Sequence, residues 1–488
     1  MALDTLIIRV RPGETRIART NGDGVLKDFA IYRGQTTGLV GDVFLGRVKK
    51  VVPTLEAAFV DLGLERDGFL ALAEARPQQH TGGETLRDRI SDYVHEGQAV
   101  MVQITAAARD DKGPKLMRRI SVPGNLMVLT PGDPGIRVSK RINDNAERGR
   151  LRALLSGHLS GKDGCVIRSA ARGVRDKAVQ AEIALLHARW EELEENAADA
   201  TAPALLSGDV PPAVQFLMEN GHGGLARIVA DDPETAVHVE AELDKLGALP
   251  KDGIERHPGG TDVFETLGVA DAVESLLSPV VDLPGGGSLV IEETAALTAI
   301  DVNAGRSIKG GRSGDLALAT NLEAMVEAAR QMRLRNLAGL IVIDYLSMSG
   351  KDGPGRVVTA LKEAVSADPA GPQVLGTTKG GLLEITRPRR RPPLSSQLLA
   401  SCPVCGSTRA EAPLSVGYRA LDRVLAEVWA QPSLIPALRA SSAVVLVLKD
   451  QGAGALAEVA DKLGQPLELI ADDTMVHGQF QIEPSERP

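Results

Sequence analysis

The chain has 488 residues and carries 55 Lys and Arg against 64 Asp and Glu, a net charge of −9; that length predicts about three to five domains. No apolar run approaches the roughly 18–20 residues that span a bilayer, the N-terminal residues lack the basic and apolar regions of a secretory signal, and three cysteines cannot build a disulfide framework, so a cytoplasmic chain without a membrane-spanning segment is expected. The acidic total argues against coating nucleic acid through bulk charge, although a local basic groove remains compatible with it.

Alternating strands open the chain at Leu6–Val10, Glu14–Ala18 and Leu26–Tyr32. Short β runs continue at Val43–Val48, Ala57–Gly63, Gly68–Leu70 and Ala99–Ile104, a spacing that suggests a small barrel over residues 38–120. Residues 121–175 are mixed. A polar-faced helix is predicted from Lys177 to Ala197, a linker rich in Ala, Pro, Gly and Ser from Ala198 to Pro212, then a strand over Gly224–Val229 and a helix over Pro233–Leu246. Ser288–Glu292 and Leu297–Val302 read as a hairpin. Thr320 and Glu323 have the spacing of a capping box opening a helix, and Gly339–Tyr345 has the continuous apolarity of a buried central strand. Beyond Pro388 come a basic, Pro-rich connector, a Cys402-Pro-Val-Cys405 knuckle and a small α/β unit. Residues 442–488 hold eight acidic and three basic side chains, so this end is not expected to grip a polyanion.

Four sets of residues can carry chemistry. Asp301 and Asp344 sit at strand ends, and their carboxylates converge if the strands are neighbours; hard oxygen donors then suit Mg²⁺ or Mn²⁺. Asn303 shares the face of Asp301, and Arg306, Lys309, Arg312, Arg330, Arg333 and Arg335 supply cations for phosphate. The bland alternative is a pair of ordinary loop-capping aspartates. Phe59 and Phe69, with Lys112 and the basic residues Arg47, Lys49 and Lys50, can stack bases and hold phosphates, or the two rings can be barrel core. Cys402 and Cys405 offer half of a four-ligand zinc site, completed by a second chain, or a redox pair or unliganded turn. Arg168 and Ser169, at a strand end, can grip a terminal phosphate, and the run Arg387–Arg391 can touch a phosphate backbone. No Walker loop is present, and no His lies between Asp301 and Asp344.

The strings Glu56–Gly63, Arg66–Leu70, Leu297–Asn303, Thr320–Ala324, Arg330–Leu337, Gly339–Asp344, Gly381–Glu384 and Cys402–Cys405 occur in an order that resembles the ribonuclease E/G family. The resemblance spans nearly the whole chain and weakens after about residue 410. It implies a multidomain α+β protein: an RNase H-like domain (1–37 and 213–278) with an inserted S1-type (OB) barrel (38–120) and a 5′-sensor region (121–212), then a DNase I-like catalytic domain (279–400), a zinc link (401–410) and a small C-terminal domain (411–488). The implied activity is Mg²⁺-dependent, single-strand-specific endonucleolysis of RNA to 5′-phosphate and 3′-hydroxyl ends in rRNA and tRNA maturation and mRNA decay, stimulated by a 5′-monophosphate. By the same resemblance Asp301, Asn303 and Asp344 are catalytic, with the two aspartates on the metal. Phe59, Phe69 and Lys112 bind RNA, and Arg168 and Ser169 take the 5′-phosphate. Cys402 and Cys405 share zinc with a second protomer in a homodimer or dimer of dimers. The chain departs from the pattern at Lys140, Ser169, Ser347, Gly314–Ala319 and Lys379. These departures motivate an alternative, an RNA-binding paralogue with weak or lost catalysis; a redox or zinc-only regulator built on the cysteine pair is a third reading.

Overall fold

The computed structural model describes residues 4–33, 40–76, 89–106, 112–124, 126–139, 141–159, 161–207, 210–221, 225–245, 248–258, 261–305, 313–348, 352–401, 410–475 and 478–485. The protein is a multidomain α+β chain divided into two compact units, Met1–Gln35 with Ala226–Ala236 and Ile254–Pro488, and Thr36–Leu225 with Val237–Gly253. No helix among the described residues is long and apolar enough to cross a membrane.

In the first unit, the strands Asp4–Arg11, Glu14–Thr20 and Leu26–Arg33 form an antiparallel meander, as their alternation predicts. The sheet gains its other two strands, Leu225–Ala230 and Glu255–Arg256, only after about 190 intervening residues have folded elsewhere. Arg9 and Arg11 leave this sheet to meet Asp231, Asp262 and Asp422. The last of these lies on the helix Pro413–Ala430, so the C-terminal domain is tied to the first sheet by charge. That domain holds a three-stranded sheet, Glu468–Ala471, Pro436–Ala440 and Phe480–Pro484, under its helices.

A six-stranded sheet forms the centre of the same unit, in the order Val280–Asp282, Ser288–Glu293, Leu297–Asn303, Gly339–Asp344, Leu383–Arg387, Gln373–Thr377. The expected hairpin is present, with Ser288 opposite Asn303. Gly339–Asp344 is a central strand running parallel to Leu297–Asn303, a pairing that requires a crossover; the helix Ser313–Leu334 supplies it. This helix and Gly353–Ala364 cover one face, where Ile300, Val302, Ile341, Ile343, Leu383 and Ile385 pack against Met325, Ala328, Met332, Val357 and Leu361.

Three sequence expectations are corrected here. The helix begins seven residues before Thr320, so Thr320 does not cap it; Glu323 instead accepts the backbone N–H of Gly285. Arg330, Arg333 and Arg335 do not reach the carboxylates. They lie on the covered side of the sheet, where Arg330 pairs with Glu327 and bonds the Leu26 carbonyl, and Arg333 pairs with Asp28. Arg335 is buried against Gln331 and the Ser278 carbonyl, and burial lowers its pKa to about 10. Of the run Arg387–Arg391, Arg389 is exposed and the other three arginines are taken up by contacts within the protein. Arg387 forms a buried pair with Asp368 and bonds the Leu337 carbonyl, Arg390 bonds the Pro369 carbonyl, and Arg391 lies over the Tyr32 ring.

In the second unit Val43–Val52, Ala57–Asp61, Gly68–Ala71, Lys115–Met117 and Ala99–Ala106 close into a five-stranded barrel, the last strand pairing with the first. The predicted linker contains a strand, because Ala204 and Leu205 add a sixth strand against Leu45 and Phe44. Beyond the barrel, Gly135–Val138, Gly164–Ile167, Met127–Thr130 and Val122–Pro123 form a four-stranded sheet under the helices Asn145–Ser156 and Asp176–Asp199. Cys165 is in its core, where burial raises the thiol pKa to about 11 and keeps it protonated.

Asp368 and Arg387 are 2% and 6% exposed at the side chain, and removing one member of such a pair leaves a buried charge without its partner. Arg387→Met is therefore expected to destabilise the first unit by about 3–5 kcal/mol, read as a lower urea midpoint; an unchanged midpoint would show that the pair is dispensable.

Candidate functional site

Residues in the strand Leu297–Asn303 alternate: Ile300 and Val302 enter the core, while Asp301 and Asn303 face outward. The neighbouring strand does the same, burying Ile341 and Ile343 and exposing Asp344. The parallel register pairs Asp301 directly with Asp344, which sets their Cα atoms about 4.8 Å apart, the spacing of adjacent strands. Both carboxylates therefore leave the uncovered face side by side, at the C-terminal ends of parallel strands, where open α/β sheets bind ligands. The Asn303 amide donates to Asp301 Oδ2 at 2.9 Å, fixing one carboxylate oxygen and leaving the other free. Among the described residues no cation pairs with either aspartate. Glu384, opposite Val342, adds a third carboxylate to this face, one diagonal step from Asp344. No described group of three or more His, Cys, Asp or Glu is arranged to hold a metal, so the aspartates stand as a pair of ligands at most.

One contact at this end was not legible in the sequence. Asn321, fully buried on the crossover helix, clamps the segment after Asp344: its amide nitrogen donates to the Leu346 carbonyl and its oxygen accepts the Leu346 N–H, each at 2.9 Å. Ser347 is exposed on the segment so held. Lys379 is exposed at the tip of the hairpin between Gln373–Thr377 and Leu383–Arg387. Because Leu383 pairs with Ile343, that tip stands at the Asp344 end of the sheet. On the other side, the chain leaving Asn303 passes so close to the turn before Ser288 that a Cβ on Gly305 would lie 1.7 Å from the Gly286 carbonyl oxygen, which only glycine avoids. Arg306, Lys309 and Arg312 lie outside the described residues, as do Cys402 and Cys405.

In the barrel, Phe59 and Phe69 are cross-strand partners. Their rings meet edge to face with centroids 5.9 Å apart. Ala58, Val60 and Leu70, their neighbours, fill the core, so the two rings stand half-exposed on the outer surface rather than inside. Lys112 is exposed three residues before Lys115. Gly113 between them lies against the Asp67 carbonyl, where a Cβ would come within 1.9 Å.

In the four-stranded sheet, the parallel register of Val138 with Ile167 brings the segment after each strand together, and the Ser139 N–H donates to the Ile167 carbonyl. Arg168 follows directly and bonds the Met218 carbonyl through its guanidinium; Ser169 is exposed at the start of a single 3₁₀ turn. Arg148 braces the opposing segment by donating to the Ser139 and Ile142 carbonyls, and Arg141, which the sequence reading overlooked, is exposed on it. Lys140 lies outside the described residues.

Residues 121–390 match the Ribonuclease E/G family, and residues 39–119 match the S1 RNA binding domain. The chain is 32% identical over 487 residues to Ribonuclease G of Escherichia coli (strain K12), covering 98% of this chain and 99% of that protein. It is 30% identical over 485 residues to Ribonuclease G of Haemophilus influenzae, covering 98% of both. To Ribonuclease E of Nostoc sp. it is 34% identical over 372 residues, covering 75% of this chain and 54% of that protein. With an S1 RNA-binding barrel in one unit and paired strand-end aspartates in the other, this chain belongs to the ribonuclease E/G family and is an endoribonuclease.

Proposed function

We propose that the enzyme hydrolyses single-stranded RNA with a Mg²⁺ ion held by Asp301 and Asp344, leaving 5′-phosphate and 3′-hydroxyl ends. The observation that carries this reading is the register of the two aspartates: two adjacent carboxylates on one open face, with no described counter-charge. Hard oxygen donors, two in number, suit Mg²⁺, or Mn²⁺, because such ions keep several waters and bind phosphate oxygens as well. When bound, the ion polarises the scissile phosphate and lowers the pKa of an attacking water. Asn303 holds the Asp301 carboxylate in place. Lys379 offers positive charge to the phosphate oxygens from the hairpin tip.

Phe59 and Phe69 stack unpaired bases, with Lys112 on the backbone, which favours single strands because a duplex hides its base faces. Arg168 and Ser169 accept a 5′-monophosphate, the guanidinium pairing with two oxygens and the hydroxyl donating to a third. Cys402 and Cys405 of two protomers complete a four-thiolate zinc site, making a homodimer or dimer of dimers. Such an enzyme suits rRNA and tRNA maturation and mRNA decay.

With a 5′-monophosphorylated, A/U-rich RNA, internal cutting is expected only with Mg²⁺ or Mn²⁺. Asp301→Asn or Asp344→Asn is expected to slow it on the order of 10³-fold, since a metal supplies several kcal/mol to the transition state; rapid cutting by the double variant in a gel assay would remove the metal from this site. Asn321→Ala strips both partners from the Leu346 backbone, and displacement near a reacting group costs up to about 10²-fold. Single-turnover cleavage is expected to fall by roughly that factor while RNA affinity, measured by anisotropy, stays unchanged. A wild-type cleavage rate in this variant would show that the clamp does not position Asp344.

A further inference from the structure

The barrel register extends beyond the aromatic pair. Phe59 faces Phe69 on one side and Lys50 on the other, and Phe69 faces Lys115 on its far side. A bulge after Val48 sets this alignment, since Lys50 rather than Lys49 is the partner of Phe59. In the adjacent row, Ala58, Leu70 and Leu116 belong to the barrel core and Val51 packs against it, so the four side chains of this row emerge on the outside together. Both lysines are exposed and have no ion-pair partner among the described residues.

Two other cations of the first barrel strand are already engaged. Arg47 donates to the Gly97 and Ala202 carbonyls, and Lys49 pairs with Asp67 and, at 3.9 Å, Asp61. Arg47 is also the cross-strand partner of Asp61, so that flank balances two carboxylates against two cations and offers no net positive charge to a phosphate backbone running along the strands. Across the strands, by contrast, the row ends in two exposed lysines without described partners, Lys50 and Lys115, three interstrand steps or about 14 Å apart.

We infer that single-stranded RNA crosses the barrel along the row Lys50–Phe59–Phe69–Lys115, perpendicular to the strands, with two bases on the rings and a backbone phosphate held by each terminal lysine. This rests on the reading of Phe59 and Phe69 as an RNA platform, and the test separates the two. Binding of a short unstructured RNA to the full chain, carrying Asp301→Asn to prevent cutting, would be followed by fluorescence anisotropy across a salt series. Each phosphate contact to a single strand contributes about −0.7 to the slope of log K against log salt. Lys50→Ala and Lys115→Ala are each expected to weaken binding and make the slope shallower by about 0.7, and together by about 1.4. Arginine at either position is expected to restore affinity and slope. Phe59→Leu and Phe69→Leu should weaken binding at unchanged slope, and Lys49→Ala should leave the slope alone. Lysine variants with the wild-type slope, beside weakened phenylalanine variants, would overturn the path while keeping the platform. Wild-type binding by the phenylalanine variants would overturn both.

Discussion

Two carboxylates can stand side by side at the end of a sheet only if their strands are neighbours, parallel, and in one particular register. A slip of one residue in Gly339–Asp344 would turn Asp344 into the core and Ile343 into solvent, so the apolar residues that prevent the slip also place the acid. Ile300, Val302, Ile341 and Ile343 fix the register from below by packing under the crossover helix. Asn321 fixes it from beyond, by holding the backbone two residues past Asp344. The barrel follows the same logic with the opposite chemistry: a core of Ala58, Val60, Leu70 and Leu116 forces Phe59, Phe69 and Lys115 outward.

Charge is distributed by the same packing. An acidic chain that handles a polyanion needs its free cations in chosen places, and most described arginines near the centre of the first unit are not free. Arg330, Arg333 and Arg387 pair with Glu327, Asp28 and Asp368, and their work is to join sheets to helices. Lysines without described partners, at positions 50, 115 and 379, remain at the surface.

Much of this was legible from periodicity. The opening meander, the 288–303 hairpin and the central strand ending at Asp344 follow from alternation or unbroken apolarity, because burial selects those patterns directly. What the sequence concealed depends on partners far along the chain. The Thr320–Glu323 spacing mimics a helix start, yet Glu323 serves Gly285 and Asn321 serves Leu346, contacts that exist only once the sheet has formed. The arginines read as phosphate contacts for a similar reason: nothing local announces that Asp28, 305 residues away from Arg333, is the partner. The row ending at Lys50 and Lys115 was hidden because a bulge shifts the pairing by one residue, and a bulge leaves little trace in composition.

The split of the first sheet between residues 4–33 and residues after 225 bears on how the chain is made. Its first strand, Asp4–Arg11, is interior to the finished sheet, flanked by Glu14–Thr20 and by Leu225–Ala230. On the ribosome that second neighbour emerges about 190 residues after the opening meander, which at about 5–20 residues per second is a delay of roughly 10–40 s. Throughout that interval one side of a strand containing Leu6, Ile7 and Ile8 has no partner, and an unpaired apolar edge invites association with other chains. The barrel and the four-stranded sheet, complete before residue 225, can fold during the wait, while the meander remains the nascent chain's vulnerable part.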